Sequence, residues 1–68
     1  MKEFILKSEF ITMGQFLKAN DYISSGGEAK FFLFNNDCQL NKEKCQERGK
    51  KIFRGTNVKI NKDMYIVK

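Results

Sequence analysis

Ile11-Thr12-Met13-Gly14-Gln15-Phe16-Leu17-Lys18 and Ser25-Gly26-Gly27-Glu28-Ala29-Lys30-Phe31-Phe32-Leu33-Phe34 are two helix openings in quick succession. In the first, Thr12 stands as N-cap and Gln15 three residues later can reach back to it, the pattern of a capping box. Ile11 before the cap and Phe16 after it can form the accompanying hydrophobic staple, and Met13, Phe16 and Leu17 fall on one helical face. The second opening repeats the device with Ser25 and Glu28, and Ala29, Phe32 and Leu33 make its apolar stripe. Asn20-Asp21 ends the first helix and Asn35-Asn36-Asp37 the second. Phe31 points roughly opposite the second stripe, at about 100° per residue. In so small a protein it is expected to pack on another element, such as the N-terminal strand; the alternative is an exposed aromatic.

Outward from the helices the period changes. Glu3-Phe4-Ile5-Leu6 reads as a short strand, and Cys38-Gln39-Leu40 as another. Asn41-Lys42-Glu43-Lys44 reads as a polar turn. Ile52-Phe53 is followed by the turn Arg54-Gly55-Thr56-Asn57, and Val58-Lys59-Ile60 with Met64-Tyr65-Ile66-Val67 forms a closing hairpin around Asn61-Lys62-Asp63. Strand, helix, helix and several short strands predict an α+β fold, with two adjacent helices packed on a small, mostly antiparallel sheet. The 68 residues leave room for a single domain, 1–68, with a marginal core.

Composition narrows the function. The chain has no histidine, which removes the commonest general base and metal ligand. Ser8, Ser24 and Ser25 have no partner base, no carboxylate pair stands out, and Gly26-Gly27 belongs to neither a Walker A nor a dinucleotide fingerprint. A binding module is expected rather than an enzyme, with no cofactor and no metal. Cys38 and Cys45 lack zinc-site spacing, and Cys38 is expected as a small buried apolar residue at a strand start. No apolar run approaches the roughly 20 residues of a membrane span. Met1-Lys2-Glu3-Phe4-Ile5-Leu6-Lys7 meets charge too early for a signal peptide, so a cytoplasmic protein is expected.

The formal charge of +5 is lopsided: residues 1–37 carry four basic and five acidic side chains, residues 38–68 nine and three. The surplus is densest from Lys42 to Arg54, where Lys42, Lys44, Arg48, Lys50, Lys51 and Arg54 face only Glu43 and Glu47. Such a run attracts polyanions, nucleic acid by default, although a solvated Lys-rich surface would read the same. Within it Arg48 suits bidentate phosphate contact, Lys50 and Lys51 are mobile point charges, and Gly49 lets the backbone turn between them. The second candidate is the start of helix 2, where Gly26-Gly27 leaves the backbone approachable and Lys30 lies one turn on. Ser25-Gly26-Gly27-Glu28 could equally be only a turn and a cap.

The first helix block, the Ser25-Gly26-Gly27-Glu28-Ala29-Lys30 block, Leu40-Asn41-Lys42 and Arg48-Gly49-Lys50-Lys51-Ile52-Phe53-Arg54-Gly55 together resemble the small stand-alone S4-domain proteins of the YaaA type, roughly from Glu9 to Ile60. The resemblance implies an S4-like (αL) fold and binding of structured RNA, ribosomal RNA before transfer RNA, as a monomer on a ribosomal subunit or an assembly intermediate. By position it puts Ser25, Gly26, Gly27, Lys30, Lys42, Arg48, Gly49, Lys50 and Lys51 on the RNA face; Gln15 and Lys18 are weaker additions, and the run of positive charge extends the strip to Arg54. Many S4 domains open helix 1 with Arg-Leu-Asp and helix 2 with Ser-Arg, where this chain has Thr12-Met13-Gly14 and Ser25-Gly26. Those changes remove a guanidinium from the implied face. The competing reading is a protein–protein adaptor that uses Phe31, Phe34 or a sheet edge.

Overall fold

The computed structural model describes residues 1–68 and contains two helices against a mostly antiparallel sheet. Strands β1 (Lys2–Phe4), β3 (Cys38–Leu40), β4 (Glu43–Lys44), β6 (Asn57–Ile60) and β7 (Asp63–Val67) form a sheet in the order β1-β7-β6-β3-β4. Strands β2 (Ile11–Thr12) and β5 (Lys51–Ile52) make a separate antiparallel pair, and helices α1 (Met13–Ala19) and α2 (Ala29–Asn35) lie between β2 and β3 in sequence. The β6–β7 hairpin turns at Asn61, whose φ of 55° a short polar residue tolerates. Only β1–β7 is parallel, and it holds the two ends of the chain side by side: Leu6 N–H donates to the Lys68 carbonyl at 2.7 Å, and Lys68 N–H to that of Phe4 at 2.9 Å.

Helix α1 starts as its capping box dictates. Thr12 N–H donates to Gln15 Oε1 at 2.9 Å and Gln15 N–H to Thr12 Oγ1 at 3.3 Å. Met13, Phe16 and Leu17 are fully buried; Phe16 lies 5.0 Å from the Phe4 ring and 5.1 Å from Tyr65, edge-on to the latter. Rings meeting at these distances and tilts gain about 0.5–1.5 kcal/mol per pair beyond burial. Ala29 and Leu33 of α2, Ile52 of β5, Val58 and Ile60 of β6, and Tyr65 and Val67 of β7 close the same core. Cys38 is there too, at the first position of β3 as expected, and burial pushes its thiol up to about 11.

Four local expectations change. The first turn of helix 2 is a 3₁₀ turn, Gly26–Glu28, before the α-helix begins at Ala29. Strand β1 ends at Phe4, so Ile5 is exposed while Leu6 turns back into the core. Glu43-Lys44 is not turn but edge strand: Asn41 and Lys42, with φ of 50° and 72°, make the reversal in two residues. Phe31 packs on nothing; it is 75% exposed because α2 lays only Ala29, Leu33 and part of Phe32 against the core.

Candidate nucleic-acid interface

The β2–β5 ladder pairs Ile11 with Ile52 and Thr12 with Lys51, and then runs straight into the first turn of α1. Met13 N–H donates to the Lys50 carbonyl at 2.8 Å, and Gly14 N–H to that of Arg48 at 2.8 Å. A helix start leaves four N–H groups without intrahelical partners. Here two go to the basic loop and a third, that of Gln15, to the Thr12 cap. The amides of α1 are thus spent on fastening Arg48–Lys50 rather than on a ligand.

Gly14 permits that docking. A Cβ at this position would lie 3.3 Å from the Arg48 carbonyl oxygen, 3.5 Å from Arg48 Cβ and 3.6 Å from Ala29 Cβ. Three segments meet at one glycine: the start of α1, the basic loop and the start of α2. On the outer side Arg48 Nη1 comes within 3.5 Å of the Gly26 carbonyl. The two candidate segments, distant in sequence, therefore lie on one face and touch.

On the helix-2 side, Glu28 Oε2 accepts from the backbone N–H of Ser24 (3.1 Å) and Ser25 (3.0 Å) and from Ser25 Oγ (3.3 Å). The one carboxylate at this turn is thereby committed to holding it. An added Cβ would meet nothing within 4 Å at Gly26 and only Ser25 Oγ, at 3.9 Å, at Gly27. Neither glycine has a positive φ. Packing and conformation do not demand glycine here, and the bare backbone faces open space. Gly27, Lys30, Phe31, Phe34 and Gln46 line a hollow beside it.

Lys44, Lys50 and Lys51 line a second hollow with Glu43 and Glu47, running from the β3–β4 hairpin to Phe53. Lys42 and Lys44 line a third with Phe34 and Asp37. Lys42 supplies a further sign of a constraint: a non-glycine residue in the left-handed region costs roughly 1–2 kcal/mol, yet the turn presents an ammonium there. Lys30, Lys42, Lys44 and Lys50 take part in no ion pair; the ion-paired lysines are Lys2, Lys59 and Lys68. Lys51 is stationed 4.8 Å over the Phe10 ring, which leans on Phe53. Asp37 is held below the ordinary carboxylate range by Gln39 and Lys59, which hydrogen-bond its two oxygens.

Three predicted residues stand apart. Arg54 donates from Nη2 to the Leu6 carbonyl at 2.8 Å and braces the chain beyond β1 against the turn before β6. Gln15 has its side-chain oxygen engaged in the α1 cap. With Lys18 it lines a separate hollow alongside Ser8, Phe10 and Ile11, which meets the basic loop only where Lys51 sits over the Phe10 ring. Gln46, Phe31 and Phe34 border the first three hollows although charge spacing does not single them out. Lys44 belongs to the basic run by charge, and its place on the edge strand carries it to the hollow beside Lys50 and Lys51.

Comparison with known proteins gives two findings. Residues 4–68 match the S4 domain family. Over 55 residues the chain is 46% identical to a Bacillus subtilis (strain 168) protein named "Probable ribosome maturation protein RlbA", covering 81% of this chain and 78% of that protein.

Proposed function

The chain belongs to the S4-domain family, and from that premise we propose that it binds structured RNA, ribosomal RNA before transfer RNA, during ribosome maturation in the cytoplasm. The supporting observation is the fastening of the Arg48–Lys50 loop to α1 and its contact with the helix-2 start. With Lys30, Lys42 and Lys44, which border the neighbouring hollows, Arg48, Lys50 and Lys51 supply six cations to the proposed RNA face. Against these six cations stand Glu43 and Glu47, since Glu28 is occupied by the cap and Asp37, which borders Lys42 and Lys44, is paired with Lys59. Ammonium and guanidinium groups on a rigid frame read the spacing of phosphates in folded RNA, where the deep major groove withholds base edges. On this reading the face works by binding, and the 68 residues act as one monomeric S4-like unit.

The sheet edges favour this reading over strand addition by a protein partner. Strand β4 is two charged residues long and β1 begins Lys2-Glu3, which are short charged edges of the kind that resist pairing.

In cells, crosslinking followed by sequencing of the attached RNA should enrich one ribosomal RNA segment. The Lys50→Ala, Lys51→Ala double variant should lose that enrichment. In vitro each phosphate contact removed lowers the slope of log K against log salt by about 0.9 on a duplex. Removing both lysines should flatten the slope by about 1.5–2. An unchanged slope would take the loop out of the interface, and a crosslinking profile identical to the variant's would refute the RNA reading.

A further inference from the structure

The chain has seven phenylalanines. Phe4, Phe10, Phe16, Phe32 and Phe53 each pair with another aromatic ring. Phe31 and Phe34 pair with none, belong to no part of the core, and are 75% and 74% exposed. They stand three residues apart on α2, where side chains at i and i+3 are neighbours. The hollow they border is completed by Gly27, Lys30 and Gln46, with no acidic side chain. On its other side Phe34 borders the hollow that holds Lys42 and Lys44, whose one carboxylate, Asp37, is paired with Lys59.

We infer that Phe31 and Phe34 are a stacking platform for unpaired bases of the bound RNA; this rests on the RNA reading above and specifies its substrate class. Whatever covers these rings must be flat and apolar while carrying negative charge toward Lys30 on one flank and Lys42 and Lys44 on the other. An unstacked nucleotide meets both demands, because its base has a π-face and its phosphate is anionic. Gln46, with an amide donor and acceptor, stands where the edge of such a base would lie. Gly27 brings bare backbone into the same hollow. A continuous duplex cannot use the platform, since its base faces are already stacked on one another. The target therefore presents a loop, bulge or frayed end beside the phosphates gripped by the basic loop.

The test compares two fluorescently labelled RNAs by anisotropy: a hairpin with an eight-uridine loop, and a blunt duplex with the same number of phosphates. Stacking on an aromatic is worth about fivefold to a hundredfold in affinity per base. Wild-type protein should bind the hairpin at least about tenfold tighter. The Phe31→Leu, Phe34→Leu variant keeps helix propensity and apolarity but not the flat rings. It should lose the preference while keeping duplex affinity and salt slope. Because the chain has no tryptophan, Phe31→Trp installs a single indole. It should retain the preference and be quenched by the hairpin but not by the duplex.

Equal, salt-dependent binding of both RNAs overturns the platform and leaves the RNA reading standing. So does a Leu variant that still prefers the hairpin. Absence of salt-dependent binding to either RNA removes the RNA reading and the platform with it. Dimerisation of the wild type in sedimentation, abolished in the Leu variant and accompanied by equal RNA affinities, would show a protein covering these rings instead.

Discussion

Replacing Gly14 tests the link between packing and function directly, because one glycine lies under the contact that positions the basic loop. Gly14→Ala sets two effects against each other. Alanine is favoured over glycine by about 0.8–1 kcal/mol inside a helix, and by less in the first turn. The new methyl would sit 3.3 Å from the Arg48 carbonyl oxygen, so the loop must retreat by a few tenths of an ångström. That retreat is cheap, since Gln46 to Lys50 are all exposed and nothing lies within 4 Å of a Cβ at Gly49. The stability of the alanine variant should fall within about 0.5 kcal/mol of wild type.

Gly14→Val removes the compromise, because its branched side chain meets the Arg48 carbonyl and Ala29 together. The hydrogen bonds from Met13 and Gly14 to the loop are then lost, at about 0.5–1.5 kcal/mol each. Valine's helix preference exceeds glycine's by only a few tenths of a kcal/mol and offsets little of this, so the expected loss is about 1–2.5 kcal/mol. A chain of this size has roughly 3–10 kcal/mol in all, so the variant stays folded in the cold. Urea denaturation reads the stability, and hydrogen exchange at Met13 and Gly14 reads the two bonds. RNA titration at low temperature should show weaker binding and a flatter salt slope at full helicity. A valine variant as stable as wild type, with both amides still protected, would refute the claim that α1 holds the loop.

Gly27→Asp places a carboxylate in the open space beside Lys30 and should lower RNA affinity about tenfold or more while leaving the denaturation midpoint nearly unchanged; normal binding would take the helix-2 start out of the interface. Cys38 keeps its proton to about pH 11 in the folded state against 9.0 ordinarily. The unfolded chain therefore ionises first, and stability is complete below pH 9 and declines from pH 9 to 11. The decline attributable to this thiol is on the order of 2–3 kcal/mol, so Cys38→Ala should flatten the alkaline limb of a stability-versus-pH curve, and an identical limb would refute the assignment.

Much of this protein was legible one segment at a time. Thr12 with Gln15, and Ser25 with Glu28, announce helix starts because a cap and its partner are three residues apart. Met13, Phe16 and Leu17 announce a buried face because 3.6 residues make a turn. The closing hairpin and the burial of Cys38 at the head of β3 follow from the same short-range rules. The two helix blocks were also the strongest of the segments that carried the likeness to S4 proteins, and the match over residues 4–68 shows the family.

What no local rule could supply was who meets whom. The parallel pairing of β1 with β7, the β2–β5 ladder, and the capture of Arg48 and Lys50 carbonyls by Met13 and Gly14 join segments dozens of residues apart. Arg54 looked like one more cation in a basic run, and only the approach of the Leu6 carbonyl makes it a brace. Phe31 looked like a core residue for want of space to expose it, and its exposure depends on no other element reaching that side of α2. Helix and turn signals act over a few residues, so the chain states them openly. The shape and charge of a face are sums over segments brought together by folding, and they exist only once the core has closed beneath them.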